Sequence, residues 1–192
     1  MSITPNGKAL IVSERLSNRL ETLPLDPEGR PGAPVVNASS GAVPFGFGIT
    51  RTGTIVVSEA GASTVSSYRL GGAGALGAIS ASLPVGQGAA CWVAVSPSGR
   101  FAYTGNASGS ISGYAVSPDG ALAALDANGL TAPIQSPRDL DFDASGRFLV
   151  VVSPGKATTS GRVTAFRVAT DGSLTVAGSA PALTGLTGVA AS

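Results

Sequence analysis

The sequence predicts an all-β fold, a β-propeller of four-stranded antiparallel blades. Three observations carry that expectation: a ladder of turn glycines, a second ladder in step with it, and short apolar runs cut by Gly, Pro, Asp and Ser clusters. The first ladder comes from SITPNGKALIVSER (2–15), GITRTGTIVVSEA (48–60), AVSPSGRFAYTGN (94–106) and DFDASGRFLVVVS (141–153), whose glycines Gly7, Gly53, Gly99 and Gly146 stand 46, 46 and 47 residues apart. The second comes from LDPEG, LGGAG, VSPDG and VATDG, ending at Gly29, Gly74, Gly120 and Gly172; the last three follow the alternating runs TVSSYRL, SISGYAV and RVTAFRV. The runs between the ladders have strand length and strand composition, and none shows helical periodicity. A Greek-key sandwich is the alternative, but it does not need glycines at so constant a period.

Each repeat then reads as strands A to D. The blades cover about 1–39, 43–84, 91–132 and 137–182, with 185–192 (GLTGVAAS) as a closing inner strand in which 189–192 take the phase of 1–4. The first blade lacks the start of strand A. A ring of four blades is possible, since propellers have about 4–8, but residues 1–4 and 189–192 would then compete for one inner slot. The chain is therefore read as an incomplete propeller with further blades expected before residue 1. An open arc leaves a blade face uncovered, so self-association is expected.

Composition narrows the chemistry. There is no histidine, so no Ser-His-Asp or Cys-His machinery and no imidazole metal ligand can come from this chain. The single cysteine, Cys91, cannot make an intrachain disulfide or a cysteine zinc site and reads as a small buried hydrophobe. Twelve basic against eleven acidic residues leave no basic footprint for nucleic acid. The uncharged stretch 70–99 contains seven Gly and two Pro, too many for a membrane span. Neither nucleic acid nor membrane is expected as a partner, and neither cofactor nor metal is implied. Residues 1–20 lack the pattern of a secretory signal, which favours a cytoplasmic soluble protein, or a secreted one if the chain is N-terminally truncated.

An antiparallel meander sorts residues by face. The start of strand A and the end of strand B share one face near the axis, and both glycine turns lie on the other. The two ladders are offset by 22, 21 and 21 residues in the first three blades and 26 in the fourth, which places extra length in the B–C loop SPGKATTSG (153–161). Among the acids, Asp26, Glu28, Asp119, Asp143 and Asp171 fall at turns, where side-chain bonds to nearby backbone account for them. Glu14 and Glu59 end strand B in the matching phrases VSER and VSEA, and Asn106 takes that place in blade three. At the start of strand A stand Pro44-Phe45, Cys91-Trp92 and Pro137-Arg138. Arg138 suits an anionic substrate or an oxyanion, and Glu59 is the candidate general base for water. Each also has a bland reading, Glu59 as a carboxyl bonded to loop amides and Arg138 as a partner of Asp139. The run Asp139-Leu140-Asp141-Phe142-Asp143 alternates as a strand and lacks the glycine and closing glutamate of a calcium loop. Tyr68, Tyr114 and Phe166 recur in strand C and are expected between blades.

The phrases PFGFGITRTGTIVVSEAGASTVSSYRL and AACWVAVSPSGRFAYTGN, with the glycine-ended turns and the terminal GLTGVAAS, resemble the seven-bladed lactonase propellers, the group similar to 6-phosphogluconolactonase and carboxymuconate cycloisomerase. The resemblance covers essentially the whole chain and implies the C-terminal four blades of such a propeller. It implies catalysis by a channel-mouth histidine, a glutamate ending a strand B, and arginines; Glu59 and Arg138 match the last two, while no histidine exists and Phe45 stands where a Pro-Arg is expected. The implied activity is hydrolysis of a small anionic sugar lactone or cyclic ester, with Glu59 directing water, Arg138 stabilising charge, and Glu14, Phe45, Trp92 and Asn106 binding substrate. The alternative is a non-catalytic propeller that binds a ligand or a partner protein.

Overall fold

The computed structural model describes residues 1–155, 160–182, 185–186 and 188–191. It is all-β, built of successive antiparallel sheets. The first holds β1 (Ser2–Ile3), β2 (Ala9–Glu14), β3 (Arg19–Pro24) and β4 (Val35–Ala38); the second holds β5 (Pro44–Ile49), β6 (Thr54–Glu59), β7 (Thr64–Leu70) and β8 (Leu76–Pro84). The third holds β9 (Ala90–Val95), β10 (Phe101–Asn106) and β11 (Ser110–Val116), with its outermost strand in two pieces, β12 (Leu122–Ala124) and β13 (Ala132–Pro133). The fourth holds β14 (Asp139–Phe142), β15 (Phe148–Ser153), β16 (Gly161–Val168) and β17 (Leu174–Ala182). Inner strands β5, β9 and β14 follow one another side by side and β2 of the first sheet lies against β5, so the sheets stack as blades of a partial propeller. No described helix is long and apolar enough to cross a membrane.

Both glycine ladders have a physical cause. Gly53 has φ +87° and an open site around its missing Cβ, so it serves the A–B turn alone. Gly120 has φ +95°, and a Cβ there would meet Thr54 Oγ1 at 2.8 Å and Ile79 Cδ1 at 2.7 Å. Its carbonyl also accepts the Ser67 hydroxyl of the preceding blade at 2.7 Å. C–D turns thus bend back onto the blade before them.

The core lies in the seams between blades. Ile11 and Leu20 meet Ile55, Val57 and Tyr68 in the first seam; Val56 and Val65 meet Ala102 and Tyr114 in the second; Tyr103 and Ile111 meet Leu140, Leu149, Val151 and Phe166 in the third. Each fully buried side chain of this kind stabilises the fold by about 1.5–3 kcal/mol. Burial pushes the Tyr114 hydroxyl up to about 12. Strand β6 is buried along its whole length because its two faces serve two seams.

Of the expected closing strand over 185–192, residues 187 and 192 lie outside the described residues, and 188–191 form no strand. That segment instead lies against blade four, where Val189 N–H donates to Asp139 Oδ2 at 2.9 Å and Ala191 N–H to Asp141 Oδ2 at 3.1 Å. The alternation of Asp139 and Asp141 therefore serves backbone amides of the neighbouring segment. Residues 156–159 of the long B–C loop also lie outside the described residues.

Candidate functional site

Residues starting the inner strands meet at the axial mouth. Val43, Ala89 and Ser136, each one residue before an inner strand or its leading proline, adopt φ of 60°, 56° and 39°. The left-handed region is costly for non-glycine residues, most of all for a β-branched one. Recurring at one place in three blades, it turns the chain so that Phe45, Trp92 and Arg138 emerge near the axis. Gly46 lets blades two and three approach closely, since a Cβ there would lie 2.5 Å from the Cys91 carbonyl oxygen.

The emerging side chains form a row. Phe45 and Trp92 meet edge to face with ring centroids 5.8 Å apart. Arg15 Cζ lies 6.0 Å from the Phe45 ring centroid, and Arg138 Cζ lies 5.7 Å from that of Trp92. Two guanidiniums therefore flank an aromatic pair, and both are solvent-exposed. A cavity of about 470 Å³ opens beside the row, lined by Ser13, Phe45, Phe47, Trp92 and Asp139 among others. Cys91 is buried next to it; burial pushes its thiol up and the Arg138 charge pulls the other way. The row can grip an anionic group by charge and an apolar ring face by the indole and phenyl walls.

Strand-B ends are placed differently. Glu59 has no exposed surface. Its Oε1 accepts from Gly41 N–H at 2.7 Å, Ser66 at 2.7 Å, Ser39 at 3.2 Å and Tyr68 at 3.4 Å, and its Oε2 accepts from Thr64 and from Ser82 at 3.4 Å. A Cβ on Gly41 would come within 2.2 Å of Oε2, so the cradle is closed. Asn106 is buried in the same manner: its Oδ1 accepts from Thr104 at 3.0 Å and its Nδ2 donates to Ser110 and Ser112 at 3.0 and 2.8 Å. Glu14 stays partly exposed and accepts from Ser17 at 2.8 Å.

The six expected site residues thus divide. Phe45, Trp92 and Arg138 come together at the mouth; Glu59 and Asn106 lie in the first and second seams, and Glu14 ends β2 of blade one, partly exposed. Glu59 is not paired with Arg138, since the ion pairs among the described residues join Arg30 to Asp26 and Glu28. A carboxyl with no surface cannot touch a water molecule in the channel, so the general-base expectation for Glu59 meets a structural cradle instead. Two mouth residues escaped sequence reasoning. Arg15 follows Glu14 in VSER, and Asp139 follows Arg138, so proximity to marked residues was the available signal.

The family model described as lactonase, seven-bladed β-propeller, matches residues 86–189. Among solved structures, a protein from Lactobacillus plantarum aligns at 21% identity and TM-score 0.78 over 95% of this chain and 55% of its own. The periplasmic gluconolactonase of Pseudomonas aeruginosa aligns at 22% identity and TM-score 0.72 over 93% and 55%. A candidate 6-phosphogluconolactonase from Bacteroides uniformis aligns at 18% identity and TM-score 0.75 over 92% and 55%. The chain thus spans about half the length of these structures. No curated protein matches the sequence significantly.

Proposed function

The chain belongs to the lactonase family of seven-bladed β-propellers, and on that premise we propose that its axial mouth holds a small anionic sugar lactone between Arg15 and Arg138, against Phe45 and Trp92. The observation that supports this is the row itself: two exposed guanidiniums at the ends of one aromatic pair, beside a cavity of about 470 Å³. Cavities of about 300–1,000 Å³ with few convergent polar groups are the usual size for small ligands. The similar periplasmic gluconolactonase and candidate 6-phosphogluconolactonase suggest gluconolactone and 6-phosphogluconolactone as compounds to try.

Hydrolysis of a lactone needs water to attack the carbonyl carbon, a base to take its proton, and a cation or donor for the developing oxyanion before the ring C–O bond breaks. In this reading Arg138 faces the oxyanion or the substrate's anionic group, and Arg15 and Phe45 hold the other end. Asp139 is the carboxyl that lines the cavity among the described residues, so it takes the water-directing role. Glu59 holds the seam. A second reading, a binding propeller without turnover, is favoured by the burial of Glu59 and by the missing histidine.

Calorimetric titration with 6-phosphogluconate and a rate assay on 6-phosphogluconolactone separate these readings. Binding that falls at least about tenfold in Arg138→Ala, with hydrolysis lost in Asp139→Asn, is the expected result. Binding without hydrolysis in the wild-type protein supports the second reading. Binding unchanged by Arg138→Ala overturns both.

A further inference from the structure

The three seams differ at one repeated position. The last residue of strand B is Glu59 in the first seam, Asn106 in the second and Ser153 in the third, and across the ladder these pair with Thr64, Ser110 and Arg162. The first two positions are filled and fully bonded. The third is cut back to a hydroxymethyl group. Ser153 is 6% exposed, and its hydroxyl has no hydrogen-bond partner among the described residues. A buried polar group left unpaired keeps the cost of its lost hydration and gains when a ligand supplies a partner. Around it opens a cavity of about 430 Å³, lined by Gln135, Ser136, Ser153, Gly161, Arg162 and Pro181 among others.

The neighbouring positions repeat as well. Two residues before the paired prolines, Pro84 and Pro181, stand Ser82 and Ser179. In the first seam Ser82 donates to Glu59; in the third, Arg162 Nη1 donates to Ser179 Oγ at 2.8 Å. That bond uses one of the five guanidinium N–H donors. Where the first seam carries a carboxyl and hydroxyl donors, the third carries a hydroxyl, a guanidinium and a space.

We propose that this cavity binds a small organic carboxylate, its carboxylate group taking the place that the Glu59 carboxyl takes in the first seam and resting on the Ser153 hydroxyl and the Arg162 guanidinium. The chain's own Glu59 is the pattern for the ligand. A guanidinium and a hydroxyl give the charge-assisted bonds that a carboxylate prefers, and the cavity has room for a short carbon skeleton beyond it. The site is separate from the Phe45–Trp92 row, so its occupancy is independent of the axial reading.

The test is titration of the ¹⁵N-labelled 192-residue chain with sodium acetate and sodium lactate, against sodium chloride at equal ionic strength. Saturable shifts are expected at the amides of Ser153, Gly155 and Gly161, with Trp92 fluorescence unchanged. Arg162→Gln, at an exposed position, is expected to weaken the response at least about fivefold. Ser153→Glu supplies the carboxyl from the chain and is expected to abolish the response while raising the unfolding midpoint. No saturable shift in the wild-type chain overturns the proposal, as does an undiminished response in either variant. A response at Trp92 in place of the seam amides places the anion at the axial mouth and overturns it too.

Discussion

The first seam and the axial mouth are built from adjacent ends of the same strands, β5 and β6, and they treat their polar groups in opposite ways. In the seam, Glu59 is wrapped by hydroxyls and the Gly41 N–H and has no surface. At the mouth, Arg15 and Arg138 stay exposed over aromatic rings. An end of strand B points into the seam between two packed blades, whereas a start of strand A, turned by a left-handed residue, points toward the axis. Polar character near a channel therefore does not by itself place a group in it. Burial of the donors around it decides whether a carboxyl is structure or chemistry.

Substitutions in the seam and at the mouth test this contrast. The largest effect is expected for Glu59→Ala, which leaves Gly41 N–H and the surrounding hydroxyls without an acceptor in a closed seam. A loss of about 3 kcal/mol or more is expected in urea unfolding, and a loss under about 1 kcal/mol would remove Glu59 from the fold's support. Next comes Arg138→Ala, expected to weaken anion binding strongly while changing stability by no more than about 0.5 kcal/mol, as for other exposed positions. The two substitutions should therefore move different readouts.

Smaller effects test the seam itself. Gly120→Ala meets both a positive φ and the Thr54 side chain, while Gly53→Ala meets only the positive φ. Thermal unfolding should show a cost of about 1–2 kcal/mol for the second and a larger one for the first; equal costs would mean that the C–D turns do not press on the preceding blade. The smallest effect is at the exposed turns. The Arg30 side chain, the Ser117 hydroxyl and the Ser173 N–H hold Asp26, Asp119 and Asp171 respectively below the ordinary 3.8. A carboxyl depressed in the folded state adds stability that is present above its unfolded value and is lost as pH falls through its folded one. Unfolding midpoints should hold from neutral pH to about 4 and decline below, and the Asp119→Asn variant should decline less.

Much of this architecture was legible in the residues. Gly7, Gly53, Gly99 and Gly146 all take positive φ, as their spacing required, and Tyr68, Tyr114 and Phe166 lie between blades. Phe45, Trp92 and Arg138 were placed correctly near one another because strand starts follow directly from the meander. Glu59 was not, for a physical reason. Strand β6 is buried on both faces, so alternation along TIVVSE carries no contrast between inside and outside. Ile55, Val57 and Glu59 share the seam-facing side, but only the packing of blade one against it reveals that. Arg15 and Asp139 were missed because nothing in their local spacing separates a mouth residue from a solvated one.

The most direct test of this division is the binding of 6-phosphogluconate to folded Glu59→Gln protein, measured by calorimetry at a temperature well below its unfolding midpoint. Glutamine keeps an acceptor in the cradle, so affinity close to that of the unaltered chain is expected, alongside a lowered unfolding midpoint. An unaltered midpoint with binding abolished would instead place Glu59 in the channel and contradict the separation of seam from mouth.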